Sequence, residues 1–111
     1  MLLPFAERAH ADKSKFTDYC LNENHPYGKH KARVFRAALG ITVENWEILR
    51  NAILTAVLLN SAIDAGRNSY GNIYVVDFDM NHNGRTAQVR TSWIIQEDEN
   101  FPRLTSCYIN R

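Results

Sequence analysis

The chain has 111 residues, of which 45% are hydrophobic and 23% charged, a composition typical of one globular domain. Thirteen Lys and Arg residues against twelve Asp and Glu give a net charge of +1, which excludes strong attraction of the whole molecule to nucleic acid or acidic membranes. No apolar run approaches the roughly 20 residues of a membrane span, and no secretory signal pattern is present. We therefore expect a cytoplasmic protein, or a module of a longer chain, that meets any polyanion through a local patch.

The first half of the chain has the residue spacing of helices. We predict a loose N-terminal arm over residues 1–11 and a helical part over residues 12–64. The first helix is predicted to begin after Asp12, and its i,i+4 spacing places Phe16 and Cys20 on one buried face.

Two further helices are predicted before the pattern changes. The second fits Lys29–Leu39, and Gly40 stands where a left-handed residue ends a helix. Thr42 is the predicted N-cap of the third helix, which we extend to Leu59. Residues 60–69 are polar and are predicted to form a connector.

Residues 70–110 alternate between apolar and polar side chains and are predicted to form an antiparallel sheet. Asn83-Gly84 is a strong signal for a two-residue hairpin turn, and Leu104–Ile109 is the predicted third strand. The turn sets a register in which Tyr74 faces Trp93, Val76 faces Thr91 and Phe78 faces Val89 on an apolar side, while Asp77 faces Arg90 and Asp79 faces Gln88 on the other side.

Helices followed by strands, with no crossover segment, favour an α+β fold over an α/β fold. We predict a single domain, residues 1–111, in which about three N-terminal helices pack on one face of a C-terminal antiparallel meander of three or more strands. The helices are expected to cover the face that carries Tyr74, Val76 and Trp93.

The stretch between the first two helices concentrates groups suited to phosphate chemistry. Two histidines, two lysines and an arginine lie between His25 and Arg33, and Lys29, Arg33 and Arg36 share one helical face. A neutral imidazole can act as a base near pH 7, and cations stabilise charge that develops on a phosphate. The alternative is a solvated helical face, with His25 as a turn residue and Gly28 supplying a positive φ.

The same stretch resembles a Leu-Asn-x-x-His-Pro-x-Gly-x-x-Lys-Ala-x-x-Phe signature of an uncharacterised bacterial domain family. Here the signature runs from Leu21 to Phe35, and further matches are Tyr70-Gly71, Thr91-Ser92-Trp93, Pro102-Arg103-Leu104 and Tyr108. The likeness covers about residues 15 to 109. Domains of this family resemble those that are encoded by solitary small genes or that form the C-terminal ends of larger bacterial toxin-type proteins. Their order of helices and strands is similar to that of the barnase, colicin and RelE-like ribonuclease toxins, which need no metal.

The resemblance implies a catalytic site and an RNA-binding surface. In it, His25 is a general base or acid, Lys31 and Arg33 hold the scissile phosphate, and Thr91 and Tyr108 contribute from the sheet. Lys29, His30 and Arg36 are the implied phosphate- and RNA-binding residues. From the residues alone, Thr91 has the alternative of a hydroxyl satisfied locally, and Tyr108 that of a packing residue.

No nucleotide-binding motif and no metal-ligand spacing occurs in the sequence, so we expect neither a metal nor another cofactor. The two cysteines are too few for a disulfide framework, and we expect them to be free thiols. Two functions remain open. One is a toxin-like, metal-independent ribonuclease, whose expected partners are RNA and a small cognate antitoxin or immunity protein. The other is a non-catalytic partner-binding module of the antitoxin or immunity type, or an accessory domain of a larger bacterial protein. Convergence of His25, Lys31 and Arg33 with Thr91 or Tyr108 favours the ribonuclease.

Overall fold

A computed structural model describes residues 1–111, and it shows helices followed by one four-stranded antiparallel sheet. The helical elements are a 3₁₀ turn Ala6–Arg8, α1 Lys13–Lys15, a π-helical segment Phe16–Cys20, α2 Lys29–Leu39, a second 3₁₀ turn Val43–Asn45 and α3 Trp46–Ala56. The strands are β1 Ala62–Arg67, β2 Gly71–His82, β3 Arg85–Gln96 and β4 Arg103–Ile109, in the spatial order β1-β2-β3-β4. The predicted α+β meander is confirmed.

Local signals set the ends of α2 and α3. Gly40 ends α2 with a φ of 68°, a conformation that costs glycine little. The Thr42 hydroxyl accepts a hydrogen bond from the backbone N–H of Glu44, and the Asn45 side chain accepts one from the Thr42 N–H at 2.7 Å. These bonds satisfy backbone groups that lack helical partners. The helix predicted to reach Leu59 ends at Ala56.

The first helix is less regular than its pattern predicts. A bond of 2.9 Å from the Leu21 N–H to the Phe16 carbonyl oxygen spans five residues and makes the last turns π-helical. Phe16 and Cys20 are both fully buried, as their spacing indicates. Gly28 packs against this segment, since a Cβ added to it would lie 2.2 Å from the Tyr19 carbonyl oxygen. Its φ is −75°, so the positive φ offered as an alternative is wrong.

The predicted hairpin register is confirmed for every pair derived from the Asn83-Gly84 turn. Both turn residues have positive φ, 50° and 75°, as a two-residue turn of this kind requires. The polar connector predicted over residues 60–69 is wrong, because residues 62–67 form β1 and pair with β2. The predicted helical part therefore ends before residue 62, and the meander has four strands.

The helices cover the apolar face of the sheet, as predicted. Trp93, Val76 and Val89 from the sheet and Phe35 and Leu49 from the helices are all fully buried in one core. No helix is long and apolar enough to cross a bilayer. The opposite face of the sheet is half-exposed and carries the ion pair between Asp77 and Arg90.

The N-terminal arm is docked on the domain, so its prediction as a loose arm is wrong. Leu3 and Ala11 are buried in the core. The backbone of His10 pairs with the start of β4, accepting from the Leu104 N–H at 2.8 Å. The Met1 carbonyl oxygen accepts from β1. The arm thus covers part of both sheet edges, where unpaired backbone groups would otherwise face solvent.

Candidate functional site

Lys31 of α2 is the side chain around which the candidate site is built. Its ammonium Nζ donates a hydrogen bond of 2.8 Å to the hydroxyl of Tyr19 in the π-helical segment. The same Nζ lies 4.7 Å from the ring centroid of Tyr19 and 5.6 Å from that of Tyr108 on β4. The structure therefore brings the predicted residues Lys31 and Tyr108 together. It adds Tyr19, which the sequence analysis did not single out.

His25 meets this group through Tyr19, with the two rings edge to face and 5.0 Å between their centroids. Its Nδ1 accepts hydrogen bonds from the backbone N–H groups of Tyr27 at 3.0 Å and Gly28 at 2.9 Å. A ring nitrogen that accepts two bonds carries no proton, so the neutral imidazole holds its proton on Nε2. His25 can donate from Nε2 but has no free lone pair for a substrate proton. The general-base role does not fit this geometry, and the turn role does.

Arg90 extends the group onto β3. It pairs with Tyr108 in the ladder between β3 and β4, and it forms two hydrogen bonds of 2.9 Å with the carboxylate of Asp77. The Asp77 carboxylate, and after it the Tyr108 hydroxyl, raise the pKa of Arg90 above its ordinary value. The guanidinium therefore remains charged at every physiological pH. We call the group the Lys31 cluster; its members are Tyr19, His25, Lys31, Arg90 and Tyr108.

A small cavity of about 230 Å³ opens beside Lys31 and Tyr108. His30, Val34 and Ile109 complete its lining. The predicted RNA-binding residue His30 therefore lies next to the cluster. Because the walls are largely aliphatic and aromatic, the cavity suits a planar apolar group rather than a phosphate.

The other predicted cations of α2 lie away from the Lys31 cluster. Arg33 follows Lys31 by two residues, a step of about 200° around a helix, and it is exposed. Lys29 shares the Arg33 side of the helix. Arg36 is paired with Glu23 at 2.9 Å. Of the cations assigned to the scissile phosphate, the structure thus brings Lys31 to Tyr108 and leaves Arg33 outside.

Thr91 is a core residue and not a member of the site. It is 0% exposed, and its hydroxyl donates to the Val76 carbonyl oxygen at 2.7 Å and accepts from the Trp93 indole Nε1–H at 2.8 Å. Both hydrogen-bonding capacities are used inside the protein, so no substrate reaches this oxygen. This placement favours the alternative of a locally satisfied hydroxyl over a catalytic role for Thr91.

Two free thiols lie side by side next to the cluster. The backbone N–H of Cys107 on β4 donates to the Cys20 Sγ at 3.4 Å, although 87 residues separate them in sequence. The hydrogen bond with Cys20 and burial raise the pKa of the Cys107 thiol, whereas the Cys107 hydrogen bond and the positive charge of Lys31 lower the pKa of Cys20. Cys20 thereby covers an outward N–H of an edge strand.

Comparison with known families places the chain. A family model described as a domain of unknown function, DUF6883, matches residues 2–111. The chain belongs to the DUF6883 family. This confirms that the chain is a member of an uncharacterised domain family, and the toxin relationship stays a prediction. Comparison with curated proteins and with solved structures finds no match in either.

Metal ligands are not gathered anywhere in the fold. No group of three or more His, Cys, Asp or Glu side chains is placed to hold one ion.

Tyr19 and Arg90 are the cluster members that sequence reasoning missed. Arg90 was identified only as the partner of Asp77, and its meeting with Tyr108 depends on a strand pairing that no turn residue fixes.

Proposed function

We propose that this DUF6883 domain is a toxin-like, metal-independent endoribonuclease whose active site is the Lys31 cluster. The observation that supports the proposal is the convergence of Lys31, Tyr19 and Tyr108 from three separate elements beside the charged Arg90. Phenols and amines can transfer protons, and fixed cations stabilise charge on a phosphate. The proposed site of action is the cytoplasm, where RNA is the substrate.

The proposed reaction needs no group beyond the cluster and the RNA. The ribose 2′-oxygen attacks the adjacent phosphorus and forms a 2′,3′-cyclic phosphate, while the bond from phosphorus to the 5′-oxygen breaks. Tyr108 is the proposed acceptor of the 2′-hydroxyl proton. The Lys31 ammonium donates a proton to the departing 5′-oxygen, and Arg90 stabilises the phosphate charge. The small apolar cavity beside Tyr108 receives a base next to the cleaved bond.

In this proposal His25 is a positioning residue with one outward donor. Its Nδ1 fixes the turn before α2 by accepting two backbone N–H groups, and its Nε2–H is free to donate to a phosphate oxygen. His25→Ala would therefore remove a turn contact as well as a donor. Lys31→Met is the more informative variant, because it removes the charge and keeps a long side chain.

A non-catalytic module of the antitoxin or immunity type, which binds an acidic partner protein, is the second candidate. The observation that favours it is the side of α2 that carries the half-buried Lys29 and the exposed Arg33, neither of which has a salt-bridge partner. Cations on such a face raise the rate of association with an acidic partner.

Expression in bacteria separates the two candidates. Wild-type protein is expected to arrest growth and fragment cellular RNA, and Lys31→Met is expected to do neither. Arg33→Gln is the matched control, because it removes a cation from the opposite side of the same helix, and it is expected to act as the wild type does. If expression of the wild-type protein leaves growth and cellular RNA unaffected, the ribonuclease proposal is refuted and the binding module is favoured. Equal loss in both variants would assign the effect to the charge of α2 as a whole.

A further inference from the structure

A second concave surface lies at the other end of β4 from the Lys31 cluster. It is a cleft of about 520 Å³, formed where residues 9–15, α3 and the start of β4 meet. The lining residues with a permanent positive charge are Lys13, Lys15, Arg50 and Arg103, and Asp12 is the one carboxylate among them. We call this surface the basic cleft. Its charges come from three separate stretches of the sequence, so no local pattern marks it.

Three of the four cations lack an acidic partner. Lys13, Lys15 and Arg50 take part in none of the four salt bridges of the protein. Arg103, by contrast, is held by Glu99 through hydrogen bonds of 2.8 and 2.6 Å. Cations that outnumber the carboxylates of a cleft, here four against the single lining carboxylate of Asp12, raise the local concentration of anions. The basic cleft is therefore suited to a ligand with at least one negative charge.

The walls of the basic cleft are tied together before any ligand binds. The Arg50 Nε–H donates to the Ala11 carbonyl oxygen at 3.0 Å and so joins α3 to the N-terminal arm. The Lys13 ammonium lies 5.4 Å from the ring centroid of Trp46, and the Arg50 guanidinium lies 6.0 Å from it. The His10 backbone pairs with β4. A preformed cleft loses little conformational entropy on binding.

Size and lining indicate that the ligand has an organic part as well as a charge. The volume lies within the roughly 300–1,000 Å³ of small-molecule sites and exceeds what an inorganic phosphate fills. Ala9, Trp46 and Leu104 supply apolar surface, and the His10 ring, stacked on Phe101 with 4.4 Å between centroids, supplies a flat face. Aromatic faces with nearby cations are the usual surroundings of a nucleotide base and its phosphate.

We infer that the basic cleft binds a nucleoside phosphate, either as a free nucleotide or as one nucleotide unit of a single-stranded RNA. The inference does not depend on cleavage at the Lys31 cluster. Leu104 in the cleft and Tyr108 in the cluster are four residues apart along β4, about 13 Å at about 3.3 Å per residue. The two surfaces are thus separate sites on one edge of the sheet.

Titration of the purified domain, followed by amide chemical shifts, tests the inference. The probes are ADP, adenosine, inorganic phosphate and a five-nucleotide single-stranded RNA, and Lys31→Met protein is used for the RNA so that cleavage does not interfere. The double variant Lys13→Gln/Lys15→Gln removes two cations from the basic cleft. Arg85→Gln/Arg111→Gln removes two exposed cations that lie outside the basic cleft and is the matched control.

We expect ADP to shift amides of residues 9–15 and to bind the cleft variant at least about tenfold more weakly, since each lost charge–phosphate contact weakens affinity. The control variant is expected to bind ADP as tightly as the wild type does. Adenosine, which has no phosphate, is expected to bind neither the wild type nor the control variant. Binding of ADP without RNA assigns the cleft to free nucleotides, and binding of the RNA assigns it to an RNA unit. Absence of both, equal loss in both variants, or inorganic phosphate binding as tightly as ADP would overturn the inference.

Discussion

Replacing Thr91 by Val tests whether its hydroxyl is structural. The oxygen sits at the centre of the sheet, where it donates to the Val76 carbonyl at 2.7 Å and accepts from the Trp93 Nε1–H at 2.8 Å. Both Thr91 and Trp93 are fully buried, so no water can replace the lost partner. The substitution therefore leaves a buried indole N–H without an acceptor.

The expected cost follows from that orphaned donor. A buried donor left unpaired costs about 1–3 kcal/mol, so we expect the free energy of unfolding to fall by about 2 kcal/mol. For a domain of this length the loss corresponds to a decrease of about 8 °C in Tm. The same substitution in a Trp93→Phe background is expected to cost clearly less, because Phe has no N–H to orphan.

Urea denaturation, followed by circular dichroism, measures the four proteins of this double-mutant cycle. The expected coupling between positions 91 and 93 is about 1 kcal/mol or more. If Thr91→Val costs the same in both backgrounds, or nothing in either, the Thr91 hydroxyl does not accept a hydrogen bond from the Trp93 indole, and its proposed structural role is refuted.

Three further perturbations test the turn, the sheet faces and the surface ion pairs. Gly28→Ala is expected to lower the free energy of unfolding by about 1–3 kcal/mol, because its Cβ would lie 2.2 Å from a backbone carbonyl oxygen. The control Lys29→Ala is expected to change the free energy of unfolding by less than about 0.5 kcal/mol, and equal urea midpoints for the two variants would contradict the close approach. Gly84→Val is expected to lower the free energy of unfolding by at least about 1 kcal/mol, because Gly84 has a φ of 75°. Asp77→Asn, which breaks a partly exposed ion pair, is expected to lower it by less than about 1 kcal/mol, and large and equal losses would mean that the two faces of the sheet are misassigned. The hydrogen bond with the Arg103 guanidinium lowers the pKa of Glu99 from its ordinary value of 4.5, so the Glu99–Arg103 pair stabilises the fold above that pH and loses its effect as the pH falls. The Tm of Glu99→Gln is therefore expected to depend less on pH below 4.5 than the Tm of the wild type, and parallel curves would refute this.

Elements marked by local chemistry were predictable from the sequence. Gly40 ends α2 because glycine adopts positive φ at little cost, and Thr42 caps the next turn through its hydroxyl. The Asn83-Gly84 turn predicts the pairing of β2 and β3, because a two-residue loop between antiparallel strands allows one register. That register defines every residue pair between the two strands.

Elements held by distant partners were not predictable. β1 is exposed at five of its six residues and has Gly66 in its interior, so it has no amphipathic pattern and forms through pairing with β2. The arm looks loose for the same reason, since Leu3 has no periodic neighbours and is buried only by the rest of the fold.

The candidate site was predictable in part. The resemblance pointed to Lys31 and Tyr108, which the structure brings together, but it could not show that the His25 Nδ1 is used by the turn. The meeting of Tyr19 with Lys31 depends on the π-helical segment packing against α2, and spacing along the chain carries no information about it.

RNA cleavage by the purified protein in the presence of a chelator tests the central proposal most directly. The substrate is a mixed pool of transfer and ribosomal RNA, and the products are analysed for 2′,3′-cyclic phosphate ends. The proposal predicts cleavage by the wild type without divalent metal, a fall of about 10²–10⁴-fold in Lys31→Met, and an unchanged rate in Arg33→Gln. Intact RNA with the wild type, or a Lys31→Met protein that cleaves at the wild-type rate, would contradict it.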